Sequence, residues 1–141
     1  MDMFEIFLSI VGLVAPRWAD RRRVRVTTHR AWFLDGTGQA VGEEHLFVTI
    51  TNLSRSRELT VTHVWFVTDP EAHIVDNALP RRLRPDDSWE TAIGLSQLPE
   101  GVREDAFNLA RARLSTGAVV SSTRNENVPA FGRVPRGGQH A

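Results

Sequence analysis

The chain has no cysteine, no lysine and no tyrosine. Without cysteine there are no disulfides, thiolate zinc sites, iron–sulfur clusters or thiol nucleophiles. Without lysine there is no Walker-type phosphate loop, no Schiff base and no lysine general base. A Gly-x-Ser-x-Gly elbow and an His-Glu-x-x-His pair are also missing. No catalytic residues, no metal ligands and no cofactor are therefore expected, and the chain reads as something other than an enzyme. Charge of one sign is lacking too: 17 basic residues, all arginine, balance 17 Asp plus Glu. A neutral chain does not coat nucleic acid by bulk charge, so nucleic acid is not an expected partner. What is present is 141 residues with 41% apolar content, enough for one domain with its own core.

The zero total hides a segregation. Residues 17–30 hold six arginines against Asp20, and residues 111–141 hold five against Glu126. The rest of the chain is acidic, with six arginines against fifteen carboxylates. Two basic ends that met in space would offer a surface to anions. Exposed strand positions are also commonly charged, arginine is the only cation used here, and this plainer reading is the one favoured.

Residues Met3 to Ala15 form a nearly continuous apolar run, closed by Pro16. On a helix Phe4, Phe7, Leu8, Val11, Ala15 and Trp18 fall at three- and four-residue steps. Ile6, Ile10 and Leu13 widen the stripe and leave only a narrow polar line. Such a helix packs on protein or lies in lipid. Thirteen residues rise about 20 Å, short of a hydrocarbon core of roughly 30 Å. The acidic residues precede the run and the arginines follow it, the reverse of a signal peptide. If the segment meets a membrane, that order keeps the arginine side in the cytoplasm. The expected partner-facing or membrane-facing residues are Trp18 with Arg17, Arg21, Arg22 and Arg23, an aromatic ring among guanidinium groups. Residues 1–18 thus read as an apolar helix or membrane-proximal anchor, residues 19–124 as the domain, and residues 125–141 as a Gly/Pro-containing tail.

In the domain the dominant period is two. Arg23–Leu34 alternates, as does Glu44–Asn52, where Leu46, Val48 and Ile50 share a face and Phe47 is the exception. Glu58–Thr68 places Leu59, Val61, His63, Trp65 and Val67 together. Ser88–Leu95 groups Trp89, Thr91, Ile93 and Leu95. Ala106–Leu114 and Ala118–Thr123 flank Ser-Thr-Gly, a hairpin signal. Glu104–Leu114 also fits a short helix, but the strand gives the hairpin its partner. Turns recur at Asp35–Gly38, Asn52–Arg57, Asp69-Pro70, Arg84–Asp87 and Leu98–Gly101. This spacing indicates an antiparallel sandwich or barrel of about seven strands.

The stretch Thr51-Asn52, then Thr60–Val67, then Leu83-Arg84-Pro85-Asp86-Asp87-Ser88 resembles the immunoglobulin-like accessory modules of bacterial proteins. It also resembles uncharacterised small bacterial proteins with a short apolar N-terminus. The resemblance implies an all-β immunoglobulin-like β-sandwich and no particular chemistry. The glycine usual after the proline of this pattern is Asp86 here.

Individual candidates reduce to structure. Asp35-Gly36-Thr37-Gly38 differs from an aspartic-protease loop, which needs Asp directly before Thr-Gly and a second copy. It reads as a hairpin turn. Glu43-Glu44-His45, His29, His63 and His73 lack metal-ligand spacing, with His45 expected outward and His63 inward beside Trp65. Arg81, Arg82 and Arg84 are expected to screen Asp86, Asp87 and Glu90. Trp65 and Trp89 are expected in the core, whereas Trp32 fits either side. The function expected is a non-catalytic interaction module in the cytoplasm, bound to a protein partner or to itself, or tethered to the membrane face through residues 3–23. Two alternatives stand beside it: a self-associating assembly subunit of a phage or mobile element, and an arginine-mediated anion or nucleic-acid binder. A small-molecule substrate is not expected.

Overall fold

The computed structural model describes residues 23–127, and the chain there is almost entirely strand and turn. The strands are β1 (Val24–Leu34), β2 (Ala40–Asn52), β3 (Leu59–Phe66), β4 (Ala72–His73), β5 (Arg81–Leu83), β6 (Ser88–Gly94), β7 (Ala110–Leu114), β8 (Val119–Ser121) and β9 (Thr123–Arg124). They form two sheets, one in the order β6-β2-β1-β9 and the other β4-β3-β7-β8, with β5 also paired to β3. Neighbours are antiparallel except β1 and β9, which run parallel. The expected helix over residues 1–18 lies outside the described residues, as does the expected tail beyond residue 127. Among the described residues no helix is long and apolar enough to cross a membrane.

Alternation builds the first sheet. Val24 and Val26 of β1, Leu46, Val48 and Ile50 of β2, and Ile93 of β6 are buried in one core. The β1–β2 hairpin is set by Asp35, whose carboxylate accepts from the Thr37 N–H at 2.8 Å, the Thr37 hydroxyl at 2.6 Å and the Gln39 N–H at 3.1 Å. Gly38 takes the left-handed conformation this turn requires, with φ of 82°. The expected turn is what forms here.

The second sheet contributes Leu59, Val61, Val64, Phe66, Leu83, Ala110, Ala112, Leu114 and Val120 to the same core. Fully covering an aliphatic or aromatic side chain such as Phe66 contributes roughly 1.5–3 kcal/mol. Single-residue alternation predicts β3 only as far as Val61. Between Val61 and His63 the pairing with β7 slips by a bulge, and every later side chain changes face. Val64 and Phe66 point inward, while His63 is exposed and Val67 is 46% exposed. The expectation of an inward His63 and a core Trp65 is therefore corrected: Trp65 is half-buried and outside the core cluster. Trp89, by contrast, packs against the core.

Glu104–Leu114 is divided. Ala106–Asn108 form a single 3-10 turn, and Ala110–Leu114 form β7. The hairpin from β7 to β8 closes at Gly117, with φ of 92°, and the Leu114 N–H donates to Ala118 at 2.8 Å. One residue later the chain changes sheets. Ser122 is buried between β8 and β9, donates to the Phe107 carbonyl at 2.7 Å and accepts from the Ala110 N–H at 3.1 Å. Thr28 of β1 donates to the same carbonyl at 2.6 Å. Phe107 thus ties the two sheets where the chain crosses.

Candidate interaction surface

Of the residues singled out by sequence, Trp18, Arg17, Arg21 and Arg22 lie outside the described residues. Arg23 stands directly before β1, and its carbonyl accepts from the Leu53 N–H at 2.6 Å. Its side chain is half-buried, and Nη1 finds no hydrogen-bond partner among the described residues.

The histidines are dispersed by the fold. Among the described residues no group of three or more His, Asp, Glu or Cys could hold a metal ion. His45 donates from Nδ1 to the Glu43 carbonyl at 2.9 Å. Glu43 itself accepts from the Ser96 hydroxyl at 2.9 Å and the Ser96 N–H at 3.1 Å, and these bonds hold its carboxyl below the usual range. Glu44 turns the other way and pairs with Arg30, whose Nε donates to Oε1 at 2.8 Å. Asp35 is likewise lowered, first by the Thr37 hydroxyl. The Asp35 shift comes from bonds within its own turn and the Glu43 shift from bonds to Ser96 just after β6, so neither marks a proton-transfer group.

The outer face of the β3-β7-β8 sheet is the first surface with recognition chemistry. The bulge that turns Val64 and Phe66 inward turns His63 and Trp65 outward. Register places Trp65 opposite Arg111 and His63 opposite Arg113, while His73 of β4 stands opposite Trp65 on the other edge. The Trp65 and His73 rings stack with centroids 6.2 Å apart and planes within 20°. Arg111 donates to the Asn108 carbonyl at 2.8 Å and the Ala110 carbonyl at 2.9 Å, which fixes its guanidinium beside the sheet. Arg113 is exposed. Glu71 lies 3.7 Å from His73 at this edge.

The second surface lies on the outer face of the β6-β2-β1 sheet. His29 and Phe47 stack with centroids 5.2 Å apart, and Phe33 meets the edges of His45 at 5.0 Å and Phe47 at 5.1 Å. Phe47 is only 3% exposed and His29 only 6%, although both point away from the core. Burial lowers the His29 pKa, and the negative charge of Glu90 partly opposes that shift. Beside these rings is a cleft of about 330 Å³ lined by Phe33, His45, Phe47, Asp76, Glu90, Thr91 and Ala92. The signal for this cluster in the sequence was Phe47, the apolar residue out of phase in β2.

The arginine run expected to screen the acidic turn behaves differently. Arg82 pairs with Glu58 at 3.6 Å. Among the described residues neither Arg81 nor Arg84 comes within ion-pair distance of Asp86 or Asp87. These residues instead line an open, mixed-charge depression of about 660 Å³. Compared with family models, with curated proteins and with solved structures, the chain gives no match.

Proposed function

We propose that the chain is a non-catalytic interaction module, an immunoglobulin-like sandwich that binds an acidic protein surface through the outer face of β3, β7 and β8. The strand order supports the immunoglobulin-like reading: β1, β2 and β6 lie in one layer and β4, β3, β7 and β8 in the other. The β2–β3 and β6–β7 connections both cross between layers, as Greek-key connections do. The observation that carries the binding reading is Trp65. It is a half-buried indole on an outward face, propped by His73 and flanked by Arg111 and Arg113. Tryptophan and arginine dominate binding energy at protein interfaces, and their charge here selects an acidic partner.

The apolar residues 3–15 followed by Arg17–Arg23 support a cytoplasmic placement with this segment at an anionic membrane face. Flotation of the full chain with vesicles containing anionic lipid tests that part. Binding at the sheet face is tested by a photoreactive residue at the exposed Ser121, which lies opposite Arg111. Crosslinks formed in cells should disappear when Trp65→Ala and Arg113→Glu are combined. Crosslinks that persist unchanged in the folded double variant reject the sheet face as the binding surface.

A further inference from the structure

We propose that β6 is a docking edge for an extended basic segment of a separate protein, which adds to the first sheet as a further strand. This edge lies on the other sheet from Trp65 and does not depend on the reading given above. β6 ends its sheet, and its seven residues pair with β2 alone. Bonds on both sides of β2 fix the phase of that pairing. The Asn52 N–H donates to the Asp87 carbonyl at 2.9 Å, toward β6, and the Leu53 N–H donates to the Arg23 carbonyl at 2.6 Å, toward β1. Even-numbered residues of β2 therefore aim their N–H and C=O groups at β6, where the register places Trp89, Thr91 and Ile93 opposite them. The N–H and C=O groups of Glu90 and Ala92 point the other way, out of the sheet edge. No hydrogen bond among the described residues engages these groups. Glu90 is exposed and Ala92 is half-buried. A row of unpaired donors and acceptors of this kind is a template for a strand.

Charge selects the occupant. Glu90 stands on the outer side of this edge, where its Oε2 accepts from the Thr49 hydroxyl at 3.1 Å. Asp76, from the β4–β5 connection, reaches the inner side. Its Oδ2 accepts from the Thr91 hydroxyl at 2.9 Å and its Oδ1 from the Ala78 N–H at 2.8 Å. Every one of these donors is neutral. Among the described residues no arginine or histidine lies within ion-pair distance of Asp76 or Glu90. Each carboxylate has about four acceptor positions, so both keep capacity for a charged donor. A second copy of β6 would bring these carboxylates up to their own counterparts, and like charges across paired strands are destabilising. A strand with arginine or lysine at alternate positions instead sets cations beside Glu90 while its backbone pairs with Glu90 and Ala92.

The test uses the full chain and a capped peptide, acetyl-Thr-Val-Arg-Val-Arg-Val-Thr-amide, followed by NMR titration and amide hydrogen exchange. In the free chain the Glu90 and Ala92 amides should exchange fast and those of Trp89, Thr91 and Ile93 slowly, because only the latter belong to the ladder. Saturating peptide should slow Glu90 and Ala92 exchange about tenfold or more, with Kd on the order of 0.1–1 mM. The same peptide with its central backbone amides N-methylated should not bind, and its citrulline version should bind about fivefold or more weakly. Ala92→Pro removes only an outward N–H, so the ladder with β2 survives while the peptide loses its edge. Glu90→Arg should weaken binding about fivefold or more by reversing the charge. Trp65→Ala should leave the titration unaltered, which separates this edge from the opposite face. Glu90 and Ala92 amides already protected in the free chain overturn the proposal, and protection that grows with protein concentration would assign the edge to a second copy. Equal binding of the N-methylated or citrulline peptide overturns it too, as does unchanged affinity in folded Ala92→Pro and Glu90→Arg chains.

Discussion

The backbone N–H of Asp86 donates to the carbonyl of Asn52 at 3.0 Å, so a turn before β6 is hydrogen-bonded to the end of β2. The Asn52 N–H answers by donating to Asp87 at 2.9 Å. The Asn52 side chain is wholly buried and completes the joint. Its amide nitrogen donates to the carbonyls of Arg57 at 2.8 Å, Leu83 at 3.1 Å and Arg84 at 3.1 Å, and its oxygen accepts from the Ser54 N–H at 2.9 Å. The β2–β3 connection and the end of β5 with the turn after it are pinned by one side chain.

Asn52→Ala leaves the buried Leu83 carbonyl and the partly buried Arg57 and Arg84 carbonyls without this donor, each costing up to about 1–3 kcal/mol. The expected loss is about 3–5 kcal/mol, a large share of a typical domain's stability. Urea unfolding followed by tryptophan fluorescence measures it. A loss below about 1 kcal/mol would show that water or a relaxed turn replaces the amide.

Asp86 has φ of 61°, the left-handed region, at the position where the related turn pattern has glycine. Asp86→Gly removes the steric cost of a Cβ there and should raise stability by up to about 1 kcal/mol. Asp86→Ala keeps the Cβ without a short polar side chain and should lower stability by about 0.5–1 kcal/mol. Thermal melts of the two variants should therefore move in opposite directions.

A Cβ at Gly94 would sit 1.9 Å from Oε1 of Glu43, whose side chain lies across it. The obstructing atom is the far end of a flexible side chain, so Gly94→Ala should fold and push the carboxylate off Ser96. The Glu43 pKa should then rise toward the ordinary carboxylate value. Side-chain carboxyl NMR titration reads this directly, and an unmoved Glu43 titration would count against the Ser96 bonds as its cause.

Stability should decline in acid in two separate windows. The folded-state pKa of His29 is lowered, so the unfolded chain takes up a proton first as pH drops. Its contribution is complete above the unfolded value of about 6.5 and is lost as pH falls toward the folded value. Asp35 and Glu43 are also lowered, and their contributions disappear only below about pH 4. Melting temperature against pH should show the upper step, and His29→Phe should remove it while leaving the lower one.

Trp65→Ala and Phe66→Ala are neighbours with opposite expected weights. Phe66 is completely buried, and its truncation should cost about 3–5 kcal/mol. Trp65 lies outside the core cluster, and its truncation should cost about 1 kcal/mol. Equal losses would place Trp65 in the core after all.

The first sheet was legible because β1 and β2 alternate with little interruption, and Asp35-Gly36-Thr37-Gly38 carries its own turn chemistry. The second was less so. The reversal of β3 after Val61 is a property of its register against β7, which no local pattern in Glu58–Thr68 records. β4 and β5, at two and three residues, are too short to show a period. Hence the outward placement of Trp65 escaped: it has the composition of a core residue, and only the bulge makes it an outward one. The cleft was signalled by Phe47 alone, because its carboxylates come from residues 76 and 90, on separate elements.

The parallel pairing of β1 with β9 has a mechanical consequence. The described chain enters at the start of β1 and leaves just after β9, and these strands are matched at Thr27 with Thr123 and Thr28 with Arg124. The Asn125 N–H adds a bond to the Thr28 carbonyl at 2.8 Å. A pull between residues 23 and 125 draws two parallel strands past each other, loading their bonds together instead of one at a time. Ser122, anchored to Phe107 and Ala110, carries that load into the other sheet. A domain held at one end and engaged at the other would resist tension in shear.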